Sequence, residues 1–331
     1  MKTVLRPFLF VSIFIASLSS SCKKTADLDS KSQNDIRIAT IKSDLKSINE
    51  KYITKHNSEK FLSSLKSSSN GVVTYSNIAL PPDNPPIPTP AFSWRTLVNV
   101  SLADIGGAQL GIKGGGFIGA KIGLMIGGPQ GLITGAVAGA ISGGAILGGI
   151  ASYAAYKGNG IAVKLEDEPL PIRDTSYTEF PDLDVVGAQH DAVLLALLNN
   201  DPSNNAAVGY PVNSSSFLDN YLSTLQMSQY ERQIMDSIGS VIDLSSLFNS
   251  IQSGNLISID NGNAVDALNS NLQAGYLAVE DLNLSAALTD DYKSYVENSS
   301  NFTVDEKRCA LGGLSVANHS MSYWSSRKKS N

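Results

Sequence analysis

Cysteine is nearly absent from this chain: Cys22 and Cys309 are the only two in 331 residues. Histidine is as scarce, with His56, His190 and His319 alone, and no two of them have metal-ligand spacing. No metal and no cofactor is therefore expected. Positive charge is not in excess, since 25 lysines and arginines face 30 acids for a formal net charge of −5. Such a chain lacks the basic field that nucleic-acid binding needs. No run of alternating β-branched residues marks a strand, and no G-x-x-x-x-G-K-[ST] phosphate loop is present. Gly114, Gly116 and Gly119 do match the dinucleotide pattern G-x-G-x-x-G. No strand precedes them and no acid follows about twenty residues on to hold a ribose, so the match carries no function.

What is present begins with an export signal. Lys2 and Arg6 form a positive start, Phe8 to Ala16 a short apolar run, and Leu18-Ser19-Ser20-Ser21 a small-residue approach to Cys22. The run is too short to span a bilayer, which takes about 20 apolar residues. Residues 1–21 thus read as a signal peptide. Leu18 to Cys22 resembles a lipobox, and Ser21-Cys22-Lys23-Lys24 is similar to the starts of Bacteroidota lipoproteins. The resemblance covers only this N-terminal stretch. It implies lipidation of Cys22, hence a membrane as partner, with each buried CH₂ contributing about 0.8 kcal/mol. Lys23, rather than an acid, follows the anchor, which favours the periplasmic side of the outer membrane over the cell surface. Only Cys309 then remains, so no intramolecular disulfide is available. Cys309 sits among apolar neighbours and reads as a buried packing residue.

Removing the 21-residue signal leaves 310 residues and takes the net charge from −5 to −7, as Lys2 and Arg6 are lost. Residues 22–34 read as a polar tether. Residues 35–68 read as a stalk helix, with Ile38, Ile41, Leu45, Ile48 and Tyr52 on one stripe. The stretch 69–95 is a linker holding six prolines between Leu80 and Pro90. A second linker, 158–182, carries Glu166, Asp167 and Glu168, read as solvated acids. From 183 to 331 the periodicity is helical throughout. Helices are expected at about 183–199, along Phe217 to Leu225, after a capping box at Ser228 and Glu231, at 263–279 and 285–298, and after a second box at Thr303 and Glu306. The fold class is therefore all-α, with this last part a helical bundle.

Glycine is concentrated between residues 106 and 149, where 17 of the chain's 28 lie, so this segment has its own physics. Gly107, Gly111, Gly115, Gly119, Gly123, Gly127, Gly131, Gly135, Gly139 and Gly143 recur at intervals of four, and the phase then slips to Gly144 and Gly148. That interval follows a helix ridge and leaves a groove for close helix packing. Close packing must offset about 1 kcal/mol per glycine in a helix interior. Gly127-Gly128-Pro129 breaks the series. Residues 96–157 are thus read as a glycine-zipper helical hairpin with arms at about 96–126 and 130–156. Leu124, Met125, Ile126, Leu132, Ile133, Val137, Ile141, Ile146, Leu147 and Ile150 supply its apolar outer surface. This segment resembles the glycine zippers of membrane-active peptides, bacteriocins among them. Two arrangements are open: a hairpin in or on a membrane, or one buried against the C-terminal bundle.

Catalytic chemistry is thinly represented. His190 and Asp191 are adjacent, but neighbours on a helix point about 100° apart. His190 lies on an apolar stripe and reads as a hydrogen-bonded core residue, and His319 has no acid near it in sequence. The expectation is a lipid-anchored envelope protein without enzymatic activity. Its role would be binding or assembly, with the 96–157 hairpin mediating self-association or membrane insertion. A bacteriocin-like toxin and a secreted hydrolase with a scattered site are the alternatives. A deep pocket at His190 or His319 would mark the hydrolase, and a shallow polar surface there the binding role.

Overall fold

The computed structural model describes residues 24–69, 93–158, 178–200 and 263–327, with positions 229, 232–233 and 236–237 between. The signal peptide, Cys22, most of both linkers and the helix expected along Phe217 to Leu225 lie outside the described residues. No strand occurs among the described residues, and the all-helical class is as expected.

The first helix, α1 (Lys24–Ser69), begins eleven residues before the expected stalk at 35, so most of the expected tether is helical. No glycine or proline interrupts its sequence, and nothing local stops the helix from extending backwards. Ile38, Ile41, Leu45 and Tyr52 are buried, so the apolar stripe faces the protein. It packs on α4 (Ala264–Val279) and α5 (Leu282–Asn298), which are joined by Glu280 and Asp281. The Tyr52 hydroxyl donates to the Ala287 carbonyl at 2.9 Å. Asn263 caps α4 through the Asp266 amide at 2.9 Å, and Asp281 caps α5 through the Leu284 amide at 2.8 Å.

The glycine segment is α2 (Trp94–Gly158), one helical run broken at Gly128, whose φ of 63° and ψ of −150° are non-helical. Pro129 follows the break. That combination of positive φ and extended ψ suits glycine, and proline lacks the amide needed to continue the first arm's ladder. The chain reverses there, and Trp94 at the start of α2 donates its indole N–H to the Tyr276 carbonyl of α4 at 2.7 Å.

A 3₁₀ turn (Pro181–Leu183) leads into α3 (Asp184–Asn200), and α6 (Val304–Arg327) ends the described chain. The Thr303–Glu306 capping box forms as read from sequence. The Thr303 amide donates to Glu306 Oε2 at 2.8 Å, and the Glu306 amide to Thr303 Oγ1 at 3.3 Å. Glu306 also receives Arg37 of α1 in a bidentate pair at 2.6 and 3.0 Å, tying the first helix to the last. α3 and α6 clasp the base of α2, and one core runs through all six helices.

Candidate functional site

The two arms of α2 meet along their glycines. A Cβ added at Gly111 would overlap the Gly143 carbonyl, one at Gly139 the Gly115 carbonyl, and one at Gly135 the Gly119 carbonyl. At Gly107 it would sit 2.5 Å from the Leu147 carbonyl oxygen. Both ridges are thus consumed inside the chain. The slip in glycine phase has its own partner. Gly148 and Gly149 receive α3, with added Cβ atoms falling 3.0 Å from the His190 ring and 2.6 Å from Val193, while one at Gly144 would meet Ile112 of the first arm at 2.7 Å and Val186 of α3 at 3.3 Å. Gly187 in turn lets α3 approach α6, where an added Cβ would meet the Ser315 carbonyl oxygen at 2.9 Å.

These close approaches assemble a buried polar cluster at the hairpin base. Asp104 and Ser101 come from the first arm, Ser152 from the second, His190 and Asp191 from α3, and His319 and Ser320 from α6. Asp191 accepts from both histidines, at 3.0 Å from His190 Nδ1 and 2.9 Å from His319 Nδ1. Asp104 lies on the other side of His190, its Oδ2 3.6 Å from Nε2. Ser320 donates to Asp104 and lies 3.1 Å from the Ser101 hydroxyl. Trp324 donates to Ser152 at 3.1 Å and stacks on Tyr156 with ring centroids 5.3 Å apart. Two expectations are corrected here. His190 and Asp191 do meet, because their side chains bend toward each other despite the 100° offset of their Cβ atoms. His319 has an acid partner, supplied from 128 residues away by the α3–α6 contact.

Electrostatics follow from burial and pairing. Burial raises the Asp104 carboxyl to about 6, with the nearby His190 charge and the Ser320 and Ser152 hydroxyls pulling the other way. Burial acts to lower His190, but the Asp191 hydrogen bond and the charges of both acids outweigh it and its pKa ends raised. For Asp191, burial is outweighed by hydrogen bonds to His190 and His319, and its pKa is lowered. Hydrogen bonds join His190, Asp191 and His319, whereas Asp104 faces His190 Nε2 at 3.6 Å without a hydrogen bond. Asp104 and His190 are fully buried, and the Ser320 hydroxyl hydrogen points to a carboxylate. Neither the deep pocket nor the shallow polar surface considered from sequence is what surrounds His190; it stands in packed core. Cys309 is also buried, and burial lifts its thiol to about 12, which suits a packing residue. An open depression of about 440 Å³ lined by Lys31, Ser32, Asp35, Ile36 and Ala39 shares no residue with the cluster.

Beyond the base the hairpin changes character. Ile146, Leu147 and Ile150 are buried in the core, whereas Phe117, Leu124, Met125, Ile126, Leu132 and Ile133 are exposed. The run Gly128–Lys157 is long and apolar enough to cross a membrane, yet 61% of its most apolar window is buried within the protein. Of the two arrangements open from sequence, burial against the body holds for the base and does not hold for the tip. Sequence reading named the outer apolar residues but not their division, because no local signal records where α3 and α6 stop covering the hairpin. Cys22 lies outside the described residues. Comparison with protein-family models, with curated proteins and with solved structures gives no match, so the site is read from its own geometry.

Proposed function

We propose that this chain is an envelope lipoprotein anchored through Cys22, with a non-enzymatic binding or assembly role. Its glycine-zipper hairpin is the working element, rooted in a helical body and offering its tip for contact. The observation that carries this reading is the reversal along one hairpin: a base sealed in the core, and a tip with six large apolar side chains left exposed. Contiguous exposed apolar surface of this kind marks contact sites in soluble proteins. The sealed Asp104–His190–Asp191–His319 cluster then serves as the rivet that holds the base.

Two experiments test the reading. Cys22→Ala should release the protein from membranes or stall its processing, and unchanged fractionation with unchanged mass would remove the anchor from the proposal. Ile126→Asp combined with Ile133→Asp should abolish contact through the tip, read as self-association in sedimentation velocity and as membrane partition. A variant indistinguishable from wild type in both would remove the contact role.

A further inference from the structure

The exposed side of the tip is apolar over a wide arc. Leu124, Met125 and Ile126 are successive residues, about 100° apart around the helix. All three are exposed, Met125 to 78% and Ile126 to 77%. Across the turn Leu132 and Ile133 are exposed as well. A folded partner covers one face of a helix, whereas an arc of roughly 200° needs a medium that closes around it. A second copy gains nothing from the glycine ridges, which already face each other within the chain.

Charge and depth point the same way. After Asp104 the next acid in the sequence is Glu166, and the first arm beyond Asp104 carries Lys113 and Lys121. Lys121 sits on the shoulder of the tip with its Nζ 4.1 Å from the centre of the exposed Phe117 ring. From Lys121 to Gly128 is seven residues, or about 10 Å of helix. Amphipathic elements seat about 5–10 Å into the headgroup and acyl boundary, while crossing the hydrocarbon core takes about 30 Å. We infer that the tip, residues 122–135, inserts into one leaflet of an anionic bilayer, with Lys121 at the level of the phosphates. Gln130 is the deepest polar side chain, one amide set against five large apolar groups. The nearby Thr134 hydroxyl is satisfied by the Gln130 carbonyl at 3.3 Å. This inference rests on the contact role proposed above and narrows the partner to lipid.

The test is flotation of the chain from Lys23 onward, which has no acyl group. Vesicles contain equal parts of phosphatidylglycerol and phosphatidylcholine, or phosphatidylcholine alone. Wild type should float with the anionic vesicles, and Ile126→Asp with Ile133→Asp should reduce partition about tenfold or more. Lys121→Glu should weaken binding to the anionic vesicles and leave that to phosphatidylcholine unchanged. These positions are exposed, so matching thermal melts confirm that the variants fold. A fluorophore on Ile126→Cys, with Cys309 buried, should be quenched best by bromine placed near the headgroup end of the acyl chain. Entrapped dye should stay inside, because the far leaflet is not crossed. The inference is overturned if wild type does not float, if the aspartate variant floats equally, or if dye escapes. Tip-dependent self-association without flotation removes the leaflet and keeps the contact role. Absence of both removes the two together.

Discussion

Gly115 and Gly139 touch backbone to backbone: a Cβ on Gly139 would overlap the Gly115 carbonyl oxygen and lie 2.9 Å from its carbon. Helix propensity alone makes Gly→Ala favourable by about 1 kcal/mol. Here the obstacle is backbone, which cannot swing aside, so overpacking of about 1–3 kcal/mol wins. Gly115→Ala and Gly139→Ala should each lower the melting temperature. Neighbouring Gly116 faces the Ala136 carbonyl and the Ala140 methyl at an ordinary 3.6 Å, so Gly116→Ala should raise it. Adjacent glycines with the same sign of effect would sink the packing account.

The pH dependence of stability has a definite sign. Asp104 is raised from 3.8 to about 6, so its contribution is full below 3.8 and lost as pH rises through 6. His190 is raised above 6.5 and follows the same course at higher pH. Asp191 and Glu306 are lowered, so their contributions hold above 3.8 and 4.5 and fade on acidification below those values. Stability should therefore peak at about pH 4–4.5, decline to about pH 6 through Asp104, and decline again above 6.5 through His190. Asp104→Asn should flatten the first of these declines, between about pH 4 and 6, by on the order of 3 kcal/mol for a shift of this size. Urea melts across the range would show it, and an unchanged slope in the variant would refute the assignment.

Asp191 joins the two histidines, so its loss should cost more than the loss of either link alone. Asp191→Asn leaves a buried His190 beside Asp104 without its main hydrogen-bond acceptor. Removing one partner of a buried pair costs about 3–5 kcal/mol. His319→Gln should cost less, since His190 keeps its bond to Asp191. A double-mutant cycle at Asp191 and His319 reads the coupling directly. Coupling near zero would show that the contact at 2.9 Å contributes nothing.

Glu306 carries two tasks, capping α6 and holding Arg37. In Glu306, burial raises the carboxyl but the Arg37 and Thr303 hydrogen bonds bring it below its usual value. Glu306→Gln keeps the cap geometry and loses the charge pair, and should cost about 1–2 kcal/mol. Arg37→Ala should cost a similar amount and raise hydrogen exchange along α1 selectively. Uniform exchange changes over all helices would argue against α1 docking through this pair.

Local features can be read directly from the residues. Helical periodicity, the Thr303–Glu306 box, the break at Gly128 and the apolar stripe of α1 depend on residues within a turn or two of each other. Even so, the start of α1 was misplaced, because polar residues are helix-compatible and carry no stop signal. The remaining features arise from packing between distant segments. Asp191 reaches His319 because Gly187 lets two helices close, a relation between residues 128 apart that periodicity cannot encode. The glycine ridge announced close packing but not its partner; the phase slip sends one ridge to the other arm and the next to α3. Both base and tip of the hairpin carry large apolar side chains, and the packing of α3 and α6 on the base separates a buried base from a bare tip. Burial is set by which surfaces meet, and those surfaces come from distant parts of the chain.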